Sequence, residues 1–383
     1  MGHMNNRERY LDYVRTGRGD MFCSPQIGAG AGFDARLCGK EWVTEVSLAD
    51  TKAVCSRFDM VPLFNAGLPD LTQLTPGFTW EVASASVDEK GRRITERTFR
   101  TPMGELHART VEEKRRGATQ TRYPVEEEPE LDMLSGWLDA LLEVADMDGI
   151  RQGVAALRAQ VGGDEALSIQ WAMQPYELLC FPDTMHTAIL AAECPELFRS
   201  LMDKILRLDE RLLDAVAAGG SDFVFLGGPG SEMISPRYYE DYLIPYSRTV
   251  TEMAHAKGLL VYTHICSPIE PMLTLGCYNR MGIDLFETLS EPPVGNVRSL
   301  EDAFGKLSPE ICTRGNIGLD LLLEGTAAQV REKGLAILET ASRAGRRHVL
   351  AASDYLFHDI PEENVQAMCD AVRLFYGKSN RFV

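Results

Sequence analysis

The chain has 383 residues, 45% of them hydrophobic and 25% charged, an ordinary globular balance that can bury a large core. Its formal net charge of -17, with no basic cluster, argues against a nucleic-acid surface and against an anionic membrane. Nine scattered cysteines without a C-x-x-C pair exclude a disulfide framework and point to a reducing cytoplasm. No signal peptide or membrane-length apolar run is expected, and "MGHM" reads as an expression remnant with Met4 as the natural start.

The elements follow in order. "NNRERYLDYVRTG" has a helical pattern that Gly17 ends. "FCSPQIG" and "VPLFNAG" are short apolar runs, each breaking into a turn, and read as strands. Residues 79–125 alternate and carry Asp-Glu-Lys-Gly and Pro-Met-Gly turn signals, so they read as an inserted region of β-hairpins. A single long helix is expected through "WLDALLEVADMDGIRQGVAALRAQV". Strands are then expected at "ALSIQWAM", "DFVFLGG", "LLVYTHI", "IDLFETL", "EICTRGN" and "RHVLAAS", with helices between them and a last helix at "PEENVQAMCDAVRLFYG".

This makes eight strands, mostly followed by helices. They are apolar and β-branched, as strands buried on both faces are. The expected fold is an α/β (β/α)8 TIM barrel, with an N-terminal helical segment and the hairpin insertion, forming a single domain over 1–383. "GAGAGFD" lacks the third glycine of a dinucleotide fingerprint, and there is no P-loop.

Barrel chemistry sits at the C-terminal ends of the strands. The polar residues expected there are Gln26, Asn65, Gln174, the stretch from Gly227 to Glu232, His264 with Cys266, Glu287, Asn316 and Asp354. His264 and Cys266 are two apart, so an extended chain puts both side chains on one side. Imidazole and thiolate suit Zn²⁺, whose catalytic sites use three protein ligands and one open position. The competing reading is a buried histidine beside a buried free cysteine. Cys194 and Cys369 fall on helix patterns, and Cys312 begins its strand roughly 13 Å below the strand end. The loops "GAGAGF" and "GGPGSE" are candidates to line the mouth. Ser235 and Pro236 read equally as a plain helix start.

"GSEMISPRYYEDYLIPYSRTV", "GLLVYTHICS", "GIDLFETLSEPPVGNV", "RGNIGLDLLLEGTAAQVREK" and "DIPEENVQAM", with "RTFRTPMGEL" from the hairpin region, resemble the uroporphyrinogen decarboxylase superfamily and its cobalamin-dependent methyltransferases. The resemblance implies the same barrel. It departs from the decarboxylases proper, whose N-terminal segment carries arginines for substrate carboxylates and whose second strand is followed by an aspartate. Here those stretches read "SPQIGAGAGFDARLCG" and "VPLFNAGLPD", with Asn65 near the aspartate's place. A porphyrinogen polyanion would be poorly held.

Thiol-directed members of the methyltransferase branch hold zinc with H-x-C and a later cysteine. In this sequence that later position falls close to Asp354, so the resemblance implies a metal set of His264, Cys266 and Asp354, with Glu287 as the other carboxylate within reach. An oxygen ligand in place of sulfur makes a stronger Lewis acid, suited to an ether such as a methoxy compound.

The expected function is a corrinoid-dependent methyltransferase, acting as a demethylase toward a small methylated substrate. Zinc and cobalamin are its cofactors, and a corrinoid protein or free cobalamin is its partner. His264 and Glu287 are the expected catalytic residues, and Gln26, Asn65, Gln174, Glu232 and Asn316 the expected substrate contacts. Relatives commonly pair, so a homodimer is expected. The alternatives are a metal-independent decarboxylase or lyase and a non-catalytic corrinoid- or tetrapyrrole-binding protein; without zinc, His264 would be the general acid of a metal-free transfer.

Overall fold

The computed structural model describes residues 4–19, 22–28, 30–144 and 146–379. The first three residues of "MGHM" and Ala29 of the Gly28–Gly32 loop lie outside the described residues. Eleven strands are seen among the described residues: β1 (Leu63–Ala66), β2 (Thr79–Val87), β3 (Arg93–Thr101), β4 (Gly104–Glu113), β5 (Gly117–Arg122), β6 (Ala166–Ala172), β7 (Phe223–Gly227), β8 (Leu260–His264), β9 (Leu285–Glu287), β10 (Cys312–Ile317) and β11 (His348–Ala352).

Seven of them form one curled parallel sheet in the order β1-β6-β7-β8-β9-β10-β11, with helices on its outer face. The expected strand over "FCSPQIG" shrinks to a single bridge, Cys23 to Leu350 in parallel. Ser24 N–H donates to the Leu350 carbonyl at 3.0 Å, and Val61 N–H donates to the Cys23 carbonyl at 3.0 Å. These residues therefore stand between β11 and the approach to β1 and close the barrel. Pro25 has no N–H to extend the ladder, which is why the eighth strand stops there.

Side chains alternate along each strand, so every second residue faces the barrel interior. The N-terminal half of that interior is filled by Ala166, Phe223, Phe225, Leu260, Tyr262, Leu285, Cys312 and Val349. The helix Asn6–Thr16 covers this end with Tyr10, Tyr13 and Val14. Asn5 and Glu8 form its capping box, and Gly17 ends it at φ 70°, a conformation that favours glycine. The Tyr13 hydroxyl donates to the His348 carbonyl at 3.0 Å and fixes the helix to the barrel.

The hairpin region is a four-stranded antiparallel sheet, β2-β3-β4-β5. One face packs Trp80, Phe99 and Leu106 beside Trp137 and Phe181. The β4–β5 turn reaches back to the barrel rim, where Val43 N–H donates to the Lys114 carbonyl at 3.2 Å. Gly117 is needed in that turn: its φ is 78°, and a Cβ there would stand 3.2 Å from the Gly30 carbonyl oxygen.

The single long helix expected over 137–161 is two, Leu131–Glu143 and Asp148–Val161. Val144 turns the chain out at ψ 119°. The Arg211 guanidinium then donates to the freed carbonyls of Leu141 and Leu142, at 3.3 and 2.9 Å, which satisfies the broken helix end. Among the described residues no helix is long and apolar enough to cross a membrane.

Candidate metal centre

β8 delivers His264 to the barrel interior, two residues above Tyr262 and four above Leu260, and Cys266 follows where the strand has ended. β11 ends at Ala352, and Asp354 follows at the same level. The ligand atoms of His264, Cys266 and Asp354 all lie within 4.8 Å of one another. His264 Nε2 stands 3.5 Å from Asp354 Oδ1. Donors on a tetrahedral zinc stand roughly 3.4–3.8 Å apart, given bond lengths of about 2.0–2.3 Å. The His264–Asp354 separation matches that spacing, and the whole nitrogen–sulfur–oxygen set is compact enough, and of the right donor chemistry, for Zn²⁺. Asp354 also accepts from the Tyr355 N–H at 2.7 Å, so it caps its own turn while facing His264.

The other ring nitrogen is fixed from below. His264 Nδ1 is 3.5 Å from Glu287 Oε1 and 2.8 Å from the Gln26 amide nitrogen. A metal on Nε2 requires Nδ1 to carry the proton, and so to face acceptors. Glu287 is one. Gln26 Oε1, buried without a hydrogen-bond partner, becomes the second when the amide turns by 180°. The burial of Gln26 and its contact with His264 make it an orienting group for the ring.

Glu287 is 1% exposed and forms an ion pair with Arg314, itself 3% exposed. Arg314 also donates to the Tyr10 hydroxyl at 2.9 Å and lies over the Tyr262 ring. Burial pushes the Glu287 carboxyl up, but Arg314 and His264 outweigh it and hold the group below the usual carboxylate range. Burial likewise pushes His264 down, yet contacts with Asp354, Cys266 and Glu287 carry it well above the usual imidazole range. A ring so surrounded by donors of negative charge is a place that favours a cation.

Asn316, fully buried, donates its amide to the Leu289 carbonyl at 3.0 Å, and its Oδ1 has no partner. Asn65 stands one residue before the end of β1, lies against the Tyr355 hydroxyl, and also has an unpartnered Oδ1. Gln174 is not beside the triad's donors: it begins the short helix Gln174–Glu177 and accepts from the Leu179 N–H at 2.6 Å. Glu232 is exposed on the rim, in a loop tied to the next one by Ser231 N–H donating to the Pro268 carbonyl at 2.7 Å. Ser235 caps the helix that Pro236 begins.

Sequence reasoning missed Arg314 and Tyr355. The signal for the first was present: an arginine between Cys312 and Asn316 on an interior-facing strand needs a buried acid. Tyr355 carried none, since its ring approaches His264 (centroids 5.9 Å apart) only through the fold.

A closed parallel barrel with three converging soft and hard donors at its C-terminal end defines an α/β-barrel protein with a candidate metal centre at the mouth. The family model for uroporphyrinogen decarboxylase (URO-D) matches residues 139–375, and the chain belongs to that family. Uroporphyrinogen decarboxylase from Trichlorobacter lovleyi is 23% identical over 237 residues, 60% of this chain and 66% of that protein. The enzyme of the same name from a Synechococcus strain is 23% identical over 235 residues, 58% and 60% of the two chains. The chain thus spans just under two thirds of these relatives. A solved structure, a methyltransferase from Methanosarcina mazei, superposes with a TM-score of 0.67 at 16% identity, covering 98% of this chain and 100% of that one; this likeness bears out the fold.

Proposed function

We propose that the protein is a zinc-assisted, corrinoid-dependent methyltransferase that takes a methyl group from a small methylated substrate. The observation that carries this reading is the convergence of His264, Cys266 and Asp354 at the C-terminal end of the barrel. When bound, zinc supplies a Lewis acid for the charge growing on the leaving oxygen or sulfur, and a reduced corrinoid supplies the electron pair that the methyl group takes up. His264, Cys266 and Asp354 hold the metal. Glu287 and Gln26 keep the imidazole turned toward it, and Arg314 keeps Glu287 ionised. The open barrel mouth aligns the donor methyl group with the corrinoid partner.

The names of the curated relatives favour a second reading, porphyrinogen decarboxylation. The chemistry of the N-terminal stretch speaks against it. Its one arginine after Gln26, Arg36, donates to the Ile360 carbonyl at 2.6 Å and packs on the Phe33 ring, so it is committed to the scaffold. The test is incubation of the zinc-loaded protein with cob(I)alamin and a panel of methyl ethers, methylamines and methyl thioethers. Methylcobalamin formation that Cys266→Ser abolishes supports the reading. Decarboxylation of uroporphyrinogen without methyl transfer sinks it.

A further inference from the structure

A cavity of about 460 Å³ lies between the barrel rim and the β4–β5 turn, within the roughly 300–1,000 Å³ of small-molecule sites. Its lining is mixed: Ile27, Val43, Val46, Leu48 and Phe64 supply apolar wall, and Thr44, Ser47 and Thr51 supply polar wall. Its inner end is Asn65, which lies against Tyr355, whose ring is 5.9 Å from that of His264. Ile27 follows directly on Gln26, the residue in contact with His264. The cavity therefore lies one side chain away from the candidate metal centre, with Tyr355 and Gln26 between them.

Its outer end holds Arg116. The neighbouring cations are committed: Lys114 pairs with Glu41 at 2.5 Å and Arg115 with Asp359 at 3.5 Å. Arg116 meets no acid among the described residues, and only its backbone N–H is bonded, to the Glu113 carbonyl at 3.3 Å. In a chain of net charge -17, an exposed guanidinium with no acid partner at the edge of a cavity is a cation available to an anionic ligand. The buried Oδ1 of Asn65, without a partner, offers a polar contact at the inner end.

We propose that this cavity seats a small carboxylate with an apolar, ring-sized body, its carboxylate on Arg116 and its other end directed past Asn65 toward His264. The assignment rests on the methyl-transfer reading for what the ligand does, since the ligand is then the methyl donor, but its test reads binding alone. Calorimetry with 4-methoxybenzoate, and with 4-methylanisole as its uncharged counterpart, is run on the full chain without corrinoid. Arg116→Gln, an exposed change that leaves the core intact, weakens the acid by about tenfold or more and leaves the neutral ether unchanged. Val46→Trp fills the cavity and removes binding of both. The proposal is overturned if Arg116→Gln binds the acid as wild type does, if Val46→Trp spares both ligands, or if neither ligand binds the wild type. Binding in the expected pattern without methyl transfer to cob(I)alamin upholds the cavity assignment and refutes the enzymatic reading instead.

Discussion

The two halves of the barrel interior are built on the same strands and have opposite chemistry. Below, Tyr262, Leu285, Cys312 and Val349 pack with the N-terminal helix into an apolar, aromatic plug. One pleat higher on the same strands stand His264, Glu287 and Arg314. A rise of two residues takes the interior from pure packing to charge. The difference teaches how the site is kept in place: Arg314 reaches down to Tyr10 and Tyr262 of the plug and up to Glu287, which bears on His264. The apolar half serves as the base of the polar half.

Breaking that join has the largest expected effect. Glu287→Leu leaves the Arg314 charge buried and unpaired, which costs about 3–5 kcal/mol in urea unfolding. The double variant Glu287→Leu with Arg314→Met regains most of this, because an apolar pair of similar volume leaves no stranded charge. If Glu287→Leu unfolds at the wild-type urea concentration, the two halves are not coupled as described.

The layer outside the strands sharpens the comparison, because it holds isolated titratable groups in place of a paired network. Asp209, which accepts from Trp171 and Tyr246 at 3.2 and 2.7 Å, is pushed by burial up to about 7. Between pH 4 and 7 the unfolded chain has released this proton while the folded protein keeps it, so stability falls as pH rises through that window. About three pH units correspond to about 4 kcal/mol. Relative to wild type, Asp209→Asn therefore gains up to that amount from pH 4 to pH 7. His348 runs the other way. Burial pushes it down to about 4, so its contribution is present above pH 6.5 and is lost as pH falls to about 4. Chemical unfolding across this range checks both, and a pH-independent difference between Asp209→Asn and wild type would contradict the first.

A smaller effect is expected at Gln26. Removing an orienting partner of a metal-binding histidine lowers metal affinity by about 10–100-fold. Gln26→Ala should fall at the lower end of that range, since Glu287 still bears on Nδ1. Competition with a chromophoric chelator measures it.

The lower half of the barrel was legible because alternation along apolar strands is a local signal, and the seven parallel strands lie where the pattern put them. The first strand was overcounted: an apolar run that contains Pro25 has too few donors to make a ladder. The long helix over 137–161 was overcounted for a related reason, since its break is satisfied by Arg211, some 70 residues away. In the candidate site, the H-x-C spacing paired His264 with Cys266, strand-end position put Asp354 at the same mouth, and the family resemblance joined it to the pair; the structure gathers all three. Which nitrogen each partner faces was not legible. Glu287 meets Nδ1 through the pairing of β8 with β9, whereas Gln26 at Nδ1 and Asp354 at Nε2 arrive only through the curl and closure of the barrel, which joins Gln26 to a residue 238 away in sequence.

The central claim is that the polar half of the barrel holds a metal through His264, Cys266 and Asp354. The most direct measurement is the zinc content of the folded protein after equilibration with buffered zinc, for wild type and for Asp354→Ala. The account predicts one zinc per wild-type chain, a marked loss of affinity in Asp354→Ala, and no change in the folded state by circular dichroism. A wild-type protein that stays folded and binds no zinc, or an Asp354→Ala variant that binds it equally well, would contradict the account.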